Sequence, residues 1–343
     1  MHDKTKQLID YRSNTALSQS ELKGVLSNNV KPFKGSIASM VGGIVDAMLT
    51  SPECLEDWFY VSNLPKYPKP QIKLVFDTYY ERLVENELLI EFDNTHILEV
   101  FREVSNSNSK DDTVMASLLA EQDYWDSLKE ANGRVVVSQE YWNKCNLVAS
   151  SLKYNQVTWE FFSEDLFKEI EFQKPIYWKY VDAGGTEVEC KGLIDIFITD
   201  HHNKTVQIID IKTTGDSLIT WKKNIARKHN PVFQLAYYYE GINQLYPQYV
   251  QLEPVLIVEN VDYPGKPRVF DFTSTDLIHG RHGLVRQKNT IITEGVDEDH
   301  EVEVIHGWET AIERYIQAKQ LSLPDYDIEY AYSRGRSNLN LWL

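Results

Sequence analysis

Residues 192–215 read GLIDIFITDHHNKTVQIIDIKTTG, two runs of Ile, Val and Phe separated by a polar turn. Runs of this kind bounded by turn residues are read as strands, here Val188–Thr199 and Val206–Lys212. Joined as a hairpin with His202 and Asn203 at its tip, they pair so that 199 faces 206 and 195 faces 210. Asp195 and Asp210 then lie directly opposite on one face, with Cβ atoms about 4.5–5.5 Å apart. Lys212 is two residues beyond Asp210 and so points to the same face. A slip of one residue would separate the aspartates, so the arrangement depends on register.

Like charges directly opposite repel, and buried carboxylates without partners are costly. A divalent cation relieves both penalties. Two carboxylates, a backbone carbonyl and several waters form the oxygen-rich shell that Mg²⁺ or Mn²⁺ accepts. Such an ion lowers the pKa of a bound water and stabilises charge on a phosphate. Lys212 would hold or deprotonate that water, or neutralise phosphoryl oxygens. The competing reading is a structural cluster in which Lys212 bridges the two aspartates at a sheet edge.

Composition bounds the rest. The chain has 343 residues, 42% of them hydrophobic, which is enough for one elaborated domain or two. No apolar run reaches the roughly 18–20 residues that span a bilayer, and the start, MHDKTKQLIDYRSNTALSQS, lacks a signal-peptide apolar region. A cytoplasmic protein is expected. Three scattered cysteines, Cys54, Cys145 and Cys190, point to reduced thiols and to no iron–sulfur cluster. The net charge of −16 argues against nucleic acid, but it is unevenly spread. Residues 81–130 carry 13 acids against four bases, whereas residues 212–230 carry five bases and one acid. An acidic chain can still present a local basic track; a solvated helix face is the plainer reading of that stretch.

Helical patterns dominate the first half. SQSELKGVLSN has Ser18 or Ser20 as N-cap, SIASMVGGIVDAMLTSPE is ended by Ser51-Pro52, QIKLVFDTYYERLVENELL follows YPKP, and Ser138 caps QEYWNKCNLVASSLKY. From about residue 169 strands take over: EIEFQKPIYWKY, the hairpin, then a helix with Pro231 in its first turn, strands PVLIVEN and RVFDF, a helix over TSTDLIHGRHGLVRQ, and a last helix over GWETAIERYIQAKQL. The expected fold class is α/β, a mixed central sheet flanked by helices with a largely helical N-terminal half. One compact unit is expected: a helical part over 1–165, a core over 166–295, and a C-terminal helix and tail over 296–343.

The string KGLIDIFI…QIIDIKTTG…FQLAYYYEGI resembles the RecB-like branch of the PD-(D/E)xK nucleases. That group carries a G-x-x-D strand, a D/E-x-K strand and a Q-x-x-x-Y helix. Here these are Gly192 with Asp195, Asp210 with Lys212, and Gln234 with Tyr238, the last pair on one helix face. LSQSELKGVL looks like the Ser-rich first helix of phage members. GGIVDAMLTSPE looks like the G-x-x-x-H-x-x-L-x-x-P-E helix of RecE-like exonucleases, with Asp46 at the usual histidine position. The resemblance covers roughly residues 15–60 and 165–290 and lies nearest the phage and prophage recombination exonucleases of RecE and lambda-exonuclease type.

The resemblance implies a restriction-endonuclease-like core and an Mg²⁺-dependent deoxyribonuclease, with Mn²⁺ able to substitute. It would degrade linear double-stranded DNA from the 5′ end and leave 3′ single strands for recombination. Asp195, Asp210 and the Ile211 carbonyl would bind metal, with Asp46 as an outer carboxylate and Glu171 as a supporting acid. Lys212 would activate water, Gln234 would position Lys212 or the water, and Tyr238 would contact phosphate. DNA contacts would come from Arg12, Ser18, Ser20, Thr213, Trp221, Lys222, Lys223, Arg227 and Lys228. Against these stand plainer readings: Ser18 or Ser20 as a helix cap, Glu171 as an exposed strand residue, Trp221 in the core. The resemblance also implies a trimeric or tetrameric ring, an annealing-protein partner, no membrane, and a phage or prophage protein in a bacterial cytoplasm. An endonuclease or structure-specific nuclease on the same core, and a non-catalytic DNA-binding scaffold, are the alternatives.

Overall fold

In the computed structural model, which describes residues 1–26, 37–88, 90–105, 109–219, 230–287 and 302–320, the chain opens with α1 (Asp3–Ser13), a two-residue strand β1 (Leu17–Ser18), α2 (Gln19–Leu26) and α3 (Ile37–Thr50). α2 starts in a capping box: the Glu21 amide donates to Ser18 Oγ (3.3 Å) and the Ser18 amide donates to Glu21 Oε2 (2.8 Å). α3 is apolar on most sides and buries Met40, Val41, Ile44, Val45 and Leu49. The short helix α4 (Leu55–Trp58) leads into β2 (Phe59–Val61), which pairs in parallel with β3 (Val135–Val137).

Between β2 and β3 lie α5 (Pro70–Glu85), α6 (Asn94–Val104), α7 (Asp111–Leu119) and α8 (Gln122–Ala131). They enclose a core of their own around Phe76, Tyr79, Tyr124 and Trp125. The acid-rich stretch is thus a helical insertion bracketed by a two-stranded sheet. α9 (Gln139–Tyr154) then returns the chain to the main sheet.

The main sheet is built from β4 (Lys168–Val181), β5 (Glu187–Asp200), β6 (Thr205–Thr214), β7 (Val250–Gln251), β8 (Val255–Asn260) and β9 (Arg268–Asp271), with β1 as a seventh strand. α10 (Pro231–Leu245) connects β6 to β7; α11 (Ser274–His282), the hairpin β10 (Gly283–Gln287) and β11 (Val302–His306), and α12 (Trp308–Gln320) follow. β5 pairs antiparallel with β4 and β6, whereas β6 runs parallel to β7 and β8. The protein is a mixed α/β structure: a central mixed sheet with helices on both faces.

One face packs Phe197, Val206, Ile208, Leu256 and Val258 against α2, α10 and α12; the other packs Ile196, Ile198, Ile209, Ile211 and Ile257 against α3 and α9. β4 and β5 exchange faces part-way along. Ile176, Trp178 and Ile194 belong to the first core, while Ile170, Ile196 and Ile198 belong to the second. Regular alternation would keep even-numbered residues of one strand on one side. The exchange falls at Gln173 and Asp195, where the ladder skips a pair between Phe172↔Ile196 and Lys174↔Ile194.

The helix expected over TSTDLIHGRHGLVRQ ends at His282, and GLVRQ is strand β10 instead. Gly283 is the reason. At φ +92° it closes the helix, and a Cβ there would meet the Ile305 carbonyl at 2.4 Å. Cys54, Cys145 and Cys190 are buried free thiols. No helix among the described residues is long and apolar enough to cross a membrane.

Candidate active site

The hairpin forms in the expected register, with Thr199↔Val206 and Ile196↔Ile209 as partners. Its four-residue turn spans 201–204, wider than the two-residue tip read from the sequence. Beyond Ile196↔Ile209 the two strands part: β5 goes on to pair with β1 at Cys190 and Lys191, and β6 with β8. Asp195 and Asp210 sit in the first step of this fork. There Asp195 Oδ2 takes over as acceptor for the Ile211 amide, at 2.8 Å.

Asp210 is 1% exposed. Its Oδ1 accepts from Lys212 Nζ and from Gln234 Nε2, both at 2.8 Å. Oδ2 lies 2.6 Å from the same ammonium, so one lysine covers both oxygens. The Ile211 carbonyl is 3.4 Å from Lys212 Nζ, inside the cluster. Gln234 therefore holds Asp210, the carboxylate that Lys212 also contacts.

Asp46 reaches the fork from α3, on the opposite face from α10. Gly42, one turn earlier, lets α3 lie close to β6; a Cβ there would stand 3.2 Å from Thr213 Oγ1. Thr50 Oγ1 donates to the Asp46 carbonyl (2.7 Å) and lies 3.3 Å from its Oδ1. Gln173 Nε2 donates to both Asp46 oxygens at 3.0 Å and reaches Asp195 Oδ1 at 3.5 Å.

Crowded carboxylates hold their protons. Burial, then the charges of Asp210 and Asp46, push the Asp195 pKa well above the ordinary range. Burial pushes Asp46 up to about 6, with Asp210 adding to the rise and Lys212, Thr50 and Gln173 opposing it. Burial works against the Lys212 ammonium, but Asp210, Asp195 and Asp46 outweigh it and raise its pKa. A carboxylate whose folded pKa exceeds its unfolded value of about 3.9 lowers stability as pH climbs through that interval. Between about pH 4 and 6 the metal-free protein is expected to lose stability that an Asp46→Asn variant keeps. Melting temperatures of both proteins in EDTA across that range check this. A difference independent of pH would contradict it.

The G-x-x-D and Q-x-x-x-Y segments explain each other. The Tyr238 ring, 5% exposed, packs against Gly192. A Cβ at Gly192 would stand 2.8 Å from two ring carbons and 3.1 Å from Ile176. Gly192→Ala is expected to destabilise by about 1–3 kcal/mol through overpacking. Chemical denaturation would show it; a neutral result would mean that the ring moves freely.

Other expected site residues are scattered. Lys191, 5% exposed, donates to the carbonyls of Tyr11 (3.1 Å) and Asn14 (2.6 Å), tying the end of α1 to β5. That contact brings Arg12 near Asp46, its guanidinium 5.4 Å from the Trp58 ring centroid and its Nη1 buried without a hydrogen-bond partner among the described residues. Ser18 is occupied by the α2 cap, and the Ser20 hydroxyl accepts from Gln19 Nε2 at 2.8 Å. Glu171 pairs with Lys174. Thr213 sits beneath Gly42. Trp221, Lys222, Lys223, Arg227 and Lys228 lie outside the described residues.

Sequence reasoning missed Gln173, Thr50 and Lys23. Lys23, on α2, has its ammonium 5.7 Å from the Phe233 ring centroid. Burial and the Lys212 charge lower its pKa to about 7, while Asp210 opposes the shift. Nothing in ELKG marks it. Gln173 could have been found only from the β4–β5 pairing, which sets it opposite Asp195.

Among the described residues no three His, Cys, Asp or Glu side chains make a ready metal shell. Asp195, Asp210 and the Ile211 carbonyl could hold a cation only in a partly hydrated shell, which suits Mg²⁺ or Mn²⁺. The donor set fits such an ion: the carboxylates of Asp195, Asp210 and Asp46 crowd and repel one another, and a cation relieves that.

No protein-family profile matches the chain, and no curated protein matches it. Among solved structures, a candidate exonuclease from Eubacterium rectale is similar over 67% of this chain and 77% of its own, at 11% identity and a TM-score of 0.30. A likeness of that degree identifies no family.

Proposed function

We propose that this chain is a divalent-metal-dependent deoxyribonuclease with a restriction-endonuclease-like core. It acts as an exonuclease on linear double-stranded DNA from the 5′ end and leaves 3′ single strands for recombination. The observation that carries the reading is the fork, where Asp195, Asp210 and Lys212 converge with Gln234 behind Asp210. An amide and an ammonium both serve one buried carboxylate, the ammonium lying against both of its oxygens.

Asp195, Asp210 and the Ile211 carbonyl would hold Mg²⁺, which when bound supplies an activated water and neutralises phosphoryl charge. Water attacks phosphorus in line and gives up a proton to solvent, the P–O3′ bond breaks, and the 3′ oxygen takes up a proton from solvent as it leaves. Lys212, lying against Asp210, would orient or activate the attacking water and screen the non-bridging oxygens. Gln234 keeps Asp210 aimed into the fork. Arg12, at the end of α1 and near Asp46, would contact a DNA phosphate, as the resemblance implies. Tyr238 shapes the floor of the site through Gly192. A ring of three or four copies, an annealing-protein partner and an origin in phage or prophage complete the proposal.

Linear duplex DNA labelled at the 5′ or the 3′ end, with a closed circle as control, tests it in Mg²⁺ and in EDTA. Early Mg²⁺-dependent release of 5′ label as mononucleotides, with the circle spared, is expected. A cut circle would point to an endonuclease. Bound but intact DNA under both Mg²⁺ and Mn²⁺ would point to a scaffold.

A further inference from the structure

Gln173 is the one residue of β4 whose backbone is left-handed, at φ +45°. It is 4% exposed and lies where the β4–β5 ladder skips a pair and both strands exchange faces, directly across from Asp195. A non-glycine side chain is disfavoured in that conformation, and a strained residue next to a polar cluster asks for a reason. Two features hold it there. Lys4 of α1 donates to the consecutive carbonyls of Phe172 (2.9 Å) and Gln173 (3.1 Å), which pins the turned peptide. The side-chain amide then spans both Asp46 oxygens and Asp195 Oδ1.

We propose that Gln173 is a positioning residue for a divalent cation: its amide holds the Asp46 and Asp195 carboxylates together at the fork, and the left-handed backbone is kept to place that amide. This rests on the metal-dependent reading above. An amide suits the task because it donates to two carboxylates without cancelling their charge. The cluster stays negative enough to draw a cation while its geometry is already set. A lysine or arginine at this position would neutralise the cluster, and a glutamate would add to its repulsion.

Two variants separate the side chain from the backbone. Gln173→Gly removes the amide but suits the left-handed conformation. Gln173→Asn tolerates that conformation and keeps an amide one methylene shorter, drawn back from Asp46. Calorimetric titration with Mn²⁺, free of DNA, is the readout, with melting temperature as the control for folding. For Gln173→Gly the expected result is an unchanged or higher melting temperature and Mn²⁺ affinity weaker by about 10- to 100-fold, as for the loss of other groups that orient metal ligands. Gln173→Asn should weaken binding in the same direction. Wild-type Mn²⁺ affinity in Gln173→Gly would overturn the proposal. If that variant does not fold, wild-type affinity in Gln173→Asn overturns it instead, and weakened affinity supports it. Failure of the wild-type protein itself to bind Mn²⁺ would remove the metal-dependent reading, a result distinct from both.

Discussion

Asp210→Asn is expected to lower Mg²⁺-dependent DNA cleavage by ~10³-fold or more while leaving the chain folded. The substitution keeps one acceptor for Gln234 and Lys212 and removes the charge. The remaining ligands, Asp195 and the Ile211 carbonyl, cannot compensate, because the Asp195 oxygen facing β6 is already engaged by the Ile211 amide. Stability should change little. The variant loses the ion pair to Lys212, but it also removes a charge that pushes the Asp195 pKa up. Single-turnover cleavage of a labelled duplex, with circular dichroism to confirm folding, measures the effect. Cleavage within about tenfold of wild type would separate the fork from the chemistry.

Lys212→Met is expected to fail differently. Cleavage should fall by about 10²- to 10³-fold, since a preorganised cation at the phosphoryl group is lost. Mn²⁺ affinity should hold or rise, because removing a positive charge leaves Asp46, Asp195 and Asp210 more attractive to a cation. The two variants therefore move metal binding in opposite directions: Asp210→Asn weakens it and Lys212→Met does not. Calorimetric titration of both proteins distinguishes ligand from charge. A Lys212→Met protein that no longer binds Mn²⁺ would mean that the ammonium supports the site only by folding it.

The fork was legible in the sequence because both strands alternate Ile and Val around a definite turn, so the register followed from burial. The skipped pair at Gln173 was not. It depends on β4 meeting β5 over fourteen-residue strands, and a glutamine between Phe172 and Lys174 carries no local signal of a left-handed backbone. The same limit hid β1. Two residues cannot announce a strand, and Leu17 and Ser18 join the sheet because β5, having parted from β6, offers a free edge at Cys190 and Lys191. Asp46 was found from its helix, but its neighbours Thr50 and Gln173 emerged only when α3 packed through Gly42 onto β6. Ser18 went the other way: the sequence offered Ser18 or Ser20 as the helix cap, and the structure puts the cap at Ser18 through a reciprocal pair with Glu21.

The most direct test of the central claim is the position of a bound cation. A crystal equilibrated with Mn²⁺ and measured at the manganese absorption edge should show an anomalous peak between Asp195 and Asp210, within bonding distance of both carboxylates and of the Ile211 carbonyl. No peak at millimolar Mn²⁺, or a peak away from the fork with Lys212 still paired to Asp210, would contradict it and leave a structural ion pair in a sheet.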